Sequence, residues 1–547
     1  MSSIYAHILL PQRTQEGTGK LTYSIPEQLQ GKLKSGDLVS IPLRKKTVSG
    51  IVLDLTNEDP GMPTKEILEI KKPGLIIEWQ MQLLEHLSKN GGKDYLILKK
   101  MIPKRILEGI KEMKDWTPSH KSQVTSHKSP PPLLFVTPHQ SEKWNFLVEA
   151  IEKTVKKNQQ VLVLTPEIDP LPLWITQLKK IAPTEAFHGK QTEKKRAQIW
   201  KEIADNEIRI VVASKLGPFT PLRNLGLIIV TNEHDDTYVE DSGPRIHTRD
   251  IALKIYEFTG AEIILESHFP SLGTDEKATK ENWAIVRNNT PTKIKIIDLR
   301  DEMKKKNYSP LSEYAEEKLH ETILKGEKAI LLLNRRGTST AVLCRDCGFM
   351  EKCPLCKNAL ILHEGEVPGG GKKLMCHQKH FQKEAPSICQ KCRSPHIKFL
   401  GTGTEKVEAY CRKIFTKSEI VRLDKDTIKK SKDLAEKSEQ FRESNNNAIL
   451  IGTNMIRPDL LAEVPLVIAL LPDTTLTYPD PDSNIKTLEQ LNMLKTLVRK
   501  NGEFVIQTYI PENTVFTTFT TSQTEKFYEQ ERKSRAMMKE IRNFTKA

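Results

Sequence analysis

The sequence predicts a multidomain α/β chain: a small β domain leads into two lobes of alternating strands and helices, and a cysteine-rich insertion interrupts the second lobe. Three observations predict it. From Leu133 onward short apolar runs (LLFV, VLVLTP, IRIVVAS, LGLIIV, AEIILE) alternate with helical stretches, the succession of a parallel sheet. A second succession begins near Lys293 (IKIID, AILLLN), breaks off, and resumes with IKFLG, AILIG, PLVIALL and FVIQTY. In the break lie seven of the chain's eight cysteines, between Cys344 and Cys392.

Taken in order, residues 1–70 read as a β domain, because HILLP, LTYSIP, DLVSIPL and SGIVLDL are short apolar runs punctuated by Pro26, Gly36, Pro42 and Gly50. The basic turn Arg44-Lys45-Lys46 separates two of them. Residues 71–115 carry helical periodicity (Trp79, Leu83, Leu84, Leu87) followed by a basic segment, compatible with a winged-helix-like module. Residues 116–132 (WTPSHKSQVTSHKSPPP) lack periodicity and read as a linker. The first lobe then spans 133–290. The second spans 291–343 and 398–512 around an insertion at 344–397, and 513–547 form a C-terminal region.

At 547 residues with a formal charge of +14, the chain has room for three or four domains and favours a polyanionic partner, nucleic acid being the commonest; a basic surface also serves solubility. No apolar stretch is long enough to span a bilayer, and Met1 to Arg13 show no basic region leading into an apolar run. The expectation is a cytoplasmic protein without membrane contact. Eight cysteines in a chain of this length are too few for a secreted disulfide framework.

Six of them instead form Cys-x-x-Cys pairs: Cys344/Cys347, Cys353/Cys356 and Cys389/Cys392. Two intervening residues let both thiolates face one ion, and two such pairs complete a tetrahedral site with no open position, which indicates structural zinc. Cys376 lacks a Cys-x-x-Cys partner, since Lys379 stands three residues on and His380 follows. Cys411, outside the cluster, reads as an ordinary buried thiol.

The run NRRGTSTAVLCRDCGFMEKCPLC (Asn334 to Cys356), followed by HIKFLGTGTEKVEAY (His396 to Tyr410), closely resembles the bacterial replication-restart family PriA, also known as primosomal protein N-prime. LVLTPEIDPLP (Leu162 to Pro172), NLGLIIVTNEHDDTYVEDSGPRIHTRD (Asn224 to Asp250), ILIGTNM (Ile449 to Met455) and GEFVIQTY (Gly502 to Tyr509) agree in the same order, over most of residues 5 to 512. The resemblance implies an N-terminal 3'-end DNA-binding domain and two RecA-like helicase lobes with a two-zinc insertion in the second. It also implies a superfamily 2 helicase that recognises abandoned forks, unwinds in the 3' to 5' direction and helps reload the replicative helicase.

The family's nucleotide motifs are degraded here. Its G-x-T-G-S-G-K-T loop, whose glycines bring N–H groups to the phosphates and whose lysine neutralises them, falls on FVTPHQSEKW. Pro138, His139, Gln140, Ser141 and Glu142 stand where the family has G-S-G-K-T, so Ser141 takes the lysine's place and Glu142 repels phosphate. Lys143 reads as no substitute, because two residues' displacement on a helix rotates a side chain by roughly 200°. The family's D-E-E-H appears as Thr231, Asn232, Glu233 and His234, so both the magnesium carboxylate and the water-positioning carboxylate are gone. G-S-A-T-P-S appears as ESHFPS (Glu266 to Ser271), and Q-V-A-G-R-A-G-R as NMLKTLVR, keeping only Arg499. No catalytic residue is expected, nor ATP or magnesium as cofactor.

The resemblance carries further expectations onto named residues. Tyr238, Arg245 and Arg249 match the loop that couples DNA to the motor, while Arg335 and Arg336 suit either phosphate contacts or closure of the lobe. In the first domain the family's F-D-Y-x-x-P appears as Leu21, Thr22, Tyr23 and Pro26; a threonine hydroxyl in place of the acid predicts a modest preference for 3' ends. Tyr23, Arg44, Lys45 and Lys46 complete the expected DNA contacts. FYEQERKSRAMMKEIRNF (Phe527 to Phe544) matches only the start of the family's last domain. Zinc pairing also follows from the resemblance: Cys344 and Cys347 with Cys389 and Cys392 in one site, Cys353 and Cys356 with Cys376 in the other, where His380 is the first choice for fourth ligand and His377 the second.

The implied function is fork-recognising, DNA-binding replication restart without ATP-driven unwinding. The implied partners are branched DNA with a single-strand/double-strand junction, primosome and helicase-loading proteins, and single-stranded-DNA-binding protein. Two alternatives are an active ATP-dependent 3'-5' helicase and a zinc-ribbon adaptor without fork specificity, the latter distinguished by shallow salt dependence of DNA binding.

Overall fold

The computed structural model describes residues 5–13, 19–108, 130–137, 139–168, 171–239, 246–288, 292–333, 340–354, 360–363, 373–376, 381–399, 403–444, 447–476, 482–521 and 523–544. They divide into two compact units, 1–136 with 143–287 and 137–142 with 288–547.

The first unit opens with five strands, β1 (Tyr5–Leu9), β2 (Lys20–Ser24), β3 (Leu38–Leu43), β4 (Lys46–Thr56) and β5 (Glu69–Lys72), paired in the order β2-β1-β4-β3-β5. Every pairing is antiparallel. Side chains alternate across a strand, so Ala6, Ile8, Tyr23, Val39, Ile41 and Val52 gather on one face as a core. Leu43 pairs with Lys46, which leaves Arg44 and Lys45 as a two-residue turn in which Arg44 takes a left-handed φ of 56°.

Three helices follow, α1 (Glu78–Lys89), α2 (Asp94–Met101) and α3 (Lys104–Leu107), and α1 buries the predicted stripe of Trp79, Leu83, Leu84 and Leu87. They pack into the lobe that comes next in the chain and share one hydrophobic core with it. Trp79 Nε1 donates to the Leu222 carbonyl at 3.1 Å, Gln80 Nε2 to the Phe219 carbonyl at 3.1 Å, and Trp200 Nε1 to the Met101 carbonyl at 2.7 Å. These bonds make the three helices part of the lobe's core, and residues 109–129, where a wing would follow α3, lie outside the described residues. The boundary expected at residue 70 falls inside β5. Most of the expected linker lies outside the described residues.

The lobe contains β6 (Leu133–Val136), α4 (Gln140–Lys156), β7 (Gln160–Leu164), α5 (Leu171–Leu178), β8 (Thr184–Phe187), α6 (Glu193–Ala204), β9 (Ile210–Ala213), β10 (Leu225–Val230), α7 (Thr248–Thr259), β11 (Glu262–Ser267), α8 (Leu272–Lys280) and β12 (Ala284–Arg287). Its seven strands are parallel in the order β12-β6-β11-β10-β7-β9-β8. Fully buried runs such as LGLIIV in β10 suit a sheet covered by helices on both faces.

The second unit holds β13 (Lys293–Asp298), α9 (Leu299–Lys304), α10 (Glu313–Leu324) and β14 (Ala329–Leu333), then a small antiparallel sheet of β15 (Thr340–Cys344), β16 (Ile361–His363), β17 (Lys373–Met375), β18 (Gln382–Glu384) and β19 (Ile397–Phe399). The α/β pattern resumes with α11 (Thr404–Ile414), β20 (Glu419–Leu423), α12 (Ser431–Glu443), β21 (Ala448–Gly452), β22 (Val464–Leu470), α13 (Asp473–Leu476), α14 (Ser483–Lys495) and β23 (Val498–Thr508), and ends in α15 (Thr514–Thr521) and α16 (Thr524–Phe544). The six large strands lie parallel in the order β13-β23-β22-β14-β21-β20. The cysteine-rich sheet is thus an insertion between β14 and α11 of a second RecA-like lobe. Among the described residues no helix is long and apolar enough to cross a membrane.

Candidate functional site

In the insertion the sulfur atoms of Cys344, Cys347, Cys389 and Cys392 lie within 4.8 Å of one another. Two knuckles of matching backbone geometry bring them there. The Cys344 N–H donates to the Phe349 carbonyl at 2.9 Å and the Cys389 N–H to the Ser394 carbonyl at 2.7 Å, the same five-residue reach. The residue after each second cysteine is left-handed, Gly348 at φ 70° and Arg393 at φ 62°. At Gly348 a Cβ would stand 2.7 Å from the Tyr509 carbonyl oxygen, so this turn accepts only glycine without a shift.

A zinc ion bonded to four thiolates at about 2.3 Å sets sulfur–sulfur separations of about 3.8 Å. Cys344 to Cys392 measures 3.5 Å and Cys347 to Cys389 3.6 Å. The donor set fits, and these four residues could hold a zinc ion. Burial pushes the Cys347 thiol up to about 12, aided by the neighbouring sulfurs. At Cys389 burial acts in the same direction but is outweighed by N–H donors from Cys392 at 3.5 Å and Lys391 at 3.4 Å, which bring it down to about 7. N–H donors of this kind stabilise a metal-bound thiolate.

Of the second predicted set, Cys353 and Cys376 are buried in one small cluster with Leu360 and Leu374. The Cys376 N–H donates to the Phe381 carbonyl at 2.8 Å, repeating the five-residue bond that frames the other knuckles. Cys356, His377 and His380 lie outside the described residues.

The nucleotide-motif residues of the first lobe sit where such motifs belong in an open parallel sheet, beyond the carboxyl ends of β6, β10 and β11. Several of them engage one another. Lys143 turns inward and its Nζ meets Glu266 Oε2 at 3.1 Å, with side chains 5% and 2% exposed. Asn232, left-handed at φ 46°, donates its N–H to the same oxygen at 3.0 Å. Thr231 directs its hydroxyl to the Leu164 carbonyl at 3.1 Å. Glu233 is fully buried and accepts from Arg249 Nη1 at 2.8 Å, the Ser271 N–H at 2.7 Å and Thr274 Oγ1 at 2.6 Å.

Burial works against the Arg249 charge, but Glu233 and Asp250 outweigh it and hold the guanidinium above its ordinary pKa. Burial and then Arg249 push His247 down to about 4, which leaves Nδ1 neutral and able to accept the Arg249 N–H at 3.1 Å. Ser141 is exposed in the first turn of α4, whereas Glu142 accepts from Thr137 Oγ1 at 3.1 Å.

Several residues assigned to nucleotide or DNA contacts occupy other positions. Arg499 is the second residue of β23 and pairs with Glu327 at 2.6 Å just ahead of β14. Both strands run parallel within the sheet, so Arg499 lies at its amino edge, opposite the strand ends that carry phosphate sites. Tyr238 is fully buried, its hydroxyl 2.9 Å from the Leu164 carbonyl and 2.8 Å from that of Thr231, and ties two strands together. Tyr23 faces the core of the first sheet and donates to the Pro42 carbonyl at 3.1 Å.

Arg249 is engaged by Glu233, as described. Pro138, Arg245, Arg335 and Arg336 lie outside the described residues. Arg44, Lys45 and Lys46 are exposed at the β3–β4 turn. On the sheet face opposite Tyr23, Thr22 lies in register with His7, which lies in register with Asp54 and meets it at 2.5 Å. Alternation along β1 and β4 puts each of these residues on that face, but only the pairing of the strands brings them into one row.

A five-stranded antiparallel domain and two parallel α/β lobes, the second carrying a thiolate knuckle cluster, make up a helicase-like fold. Residues 8–103 match the family model described as the PriA 3' DNA-binding domain (3'BD). The chain is 30% identical over 474 residues to the replication restart protein PriA of Helicobacter pylori, covering 83% of this chain and 71% of that protein. It is 33% identical over 403 residues to PriA of Bacillus subtilis, covering 72% of this chain and 49% of that protein, and 31% identical to PriA of Synechocystis, covering 70% and 48%. The chain belongs to the PriA replication-restart family. It spans about half the length of the Bacillus and Synechocystis proteins. Among solved structures, RecG bound to a three-way DNA junction is similar with a TM-score of 0.42 and 12% identity, covering 83% of this chain and 51% of that one.

Proposed function

We propose that this chain is a DNA-binding replication-restart protein that engages branched DNA at stalled or abandoned forks and promotes reloading of the replicative helicase without ATP-driven unwinding. The observation that carries the reading is the match of residues 8–103 to a 3' DNA-binding domain. The exposed basic turn at Arg44, Lys45 and Lys46 supports it, since lysine and arginine at a strand turn can reach phosphates without disturbing the core.

The absence of ATP-driven unwinding is supported by the charge network of the first lobe. Magnesium triphosphate needs a free cation, backbone donors and a carboxylate for the metal. Here the Lys143 ammonium and the Asn232 N–H are committed to Glu266, and Glu233 is committed to Arg249, Ser271 and Thr274. This donor set does not fit the nucleotide.

Two structural zinc ions complete the proposal, one on Cys344, Cys347, Cys389 and Cys392 and one on Cys353, Cys356, Cys376 and His380. The partners are a single-strand/double-strand DNA junction, single-stranded-DNA-binding protein, and primosome and helicase-loading proteins in a bacterial cytoplasm.

One preparation tests the reading, by fluorescence anisotropy on a labelled fork and on blunt duplex alongside ATP hydrolysis. The fork should bind more tightly, with steep salt dependence, and blocking its 3' end with phosphate should weaken binding only modestly. Hydrolysis that rises on adding DNA would establish a working motor instead; equal affinity for fork and duplex with a shallow salt slope would leave a zinc-ribbon adaptor.

A further inference from the structure

We infer that Glu266 is a built-in replacement for nucleotide phosphate: its carboxylate supplies, within the chain, the anion that Lys143 and the Asn232 N–H would otherwise take from a ligand. The inference rests on the reading that this lobe works without ATP.

Its basis is a pair of displacements that match. The lysine expected at position 141 is replaced by serine, and the acids expected at 231 and 232 by threonine and asparagine. One cation reappears two residues later, on α4, and one anion on the neighbouring strand β11, where Glu266 stands in register with Phe135 of β6. Their charged atoms meet at 3.1 Å with almost no solvent access. The β10 turn completes the arrangement, because the left-handed backbone of Asn232 aims its N–H at the same Glu266 oxygen, 3.0 Å away. A cation at the start of a helix and a backbone N–H beyond a strand end, converging on one anionic oxygen, is the way a nucleotide-binding lobe grips phosphate.

Charge balance agrees. Lys143 pairs with Glu266, and Arg249 pairs with buried Glu233 and with half-exposed Asp250, so each cation has a carboxylate partner. Buried charges of this kind persist only when paired, so neither Lys143 nor Glu266 is tolerated without the other. A polyphosphate entering the site would have to break the Lys143 pair and face the Glu266 carboxylate.

The test is thermal unfolding of the full chain and of Lys143→Met, Glu266→Gln and the double variant, each with and without inorganic pyrophosphate. Each single variant should lose about 8 °C or more in Tm, because it leaves an unpaired buried charge, and the double variant should lose less than either. Pyrophosphate should raise the Tm of Glu266→Gln, where Lys143 is released, and leave wild type and double variant unmoved.

Additive losses in the double variant would overturn the inference, as would equal stabilisation of wild type and Glu266→Gln by pyrophosphate. Should Glu266→Gln not fold by itself, pyrophosphate added during refolding should recover it by supplying the missing anion, and failure to do so while the double variant folds overturns the inference equally. ATP turnover by wild type would sink the no-ATP reading, whereas non-additivity without a pyrophosphate response would sink only the phosphate role of Glu266.

Discussion

In the knuckle cluster and at the carboxyl edge of the first lobe, polar groups converge from segments far apart in the chain, yet the two regions treat convergence in opposite ways. The four thiols meet within 4.8 Å and offer one another sulfur alone, a donor set that only a soft cation satisfies. At the lobe edge, Lys143, Glu266, Arg249 and Glu233 satisfy one another, with N–H and hydroxyl donors filling the remaining positions. Like donor groups brought together suit a cation from outside; opposite charges brought together satisfy one another.

The largest effect should come from breaking the first half of the comparison. Removing zinc with a chelator, or replacing Cys389 with Ala, should unfold the insertion, read as a loss of protection of its amides in hydrogen exchange, because binding energy at a structural zinc is folding energy. Metal analysis should return about two zinc ions per chain and about one after the Cys389 change; one in the parent protein would remove the second site.

Next in size, reversing Arg44, Lys45 and Lys46 to Glu should weaken fork binding about tenfold or more and flatten the dependence of log K on log salt by about 2 to 3. Unchanged affinity and slope would move DNA contact away from this turn and reopen the lobe edge as a DNA surface.

Asp473 sharpens the rule of compensation, since it is a fully buried acid that accepts from Thr508 Oγ1 at 2.9 Å and the Tyr509 N–H at 3.0 Å. Burial pushes its carboxyl up to about 6, and the hydrogen bonds offset only part of that. A raised acid favours the folded state when protonated, so its contribution is fully present below the ordinary value of 3.8 and is lost as pH rises through about 6. Asp473→Asn should therefore stabilise the protein by about 1 to 2 kcal/mol at pH 8 and by progressively less towards pH 5. A pH-independent difference would mean that burial does not set this carboxyl's ionisation. The smallest expected effect is none: millimolar magnesium ATP should leave the wild-type Tm unmoved, and a rise would show that the lobe edge still accepts the ligand.

Much of the architecture was legible because its signals are local. The β/α alternation from Leu133, the Trp79–Leu87 stripe and the convergence of the Cys344/Cys347 and Cys389/Cys392 pairs follow from repeats of two, three or four residues, and the structure shows these three. The repeated backbone bond at Cys376 was not readable, since it needs the partner carbonyl of Phe381. Tyr23 and Tyr238 were assigned to DNA because of their motif neighbourhood, and both proved to be buried struts between strands. Arg499 matched the last arginine of a motif, but α14 ends before it and the strand that follows carries it to the opposite sheet edge.

By itself the sequence determined the class of fold, the family and the thiolate cluster, because strand and helix periodicity and ligand spacing are set by a few consecutive residues. It also showed that the residues at the phosphate motifs depart from those of the family. Only the tertiary structure decided how those positions pair, since Lys143 and Glu266 lie on different elements of one sheet edge and their attraction exists only once β6 and β11 lie side by side and exclude water.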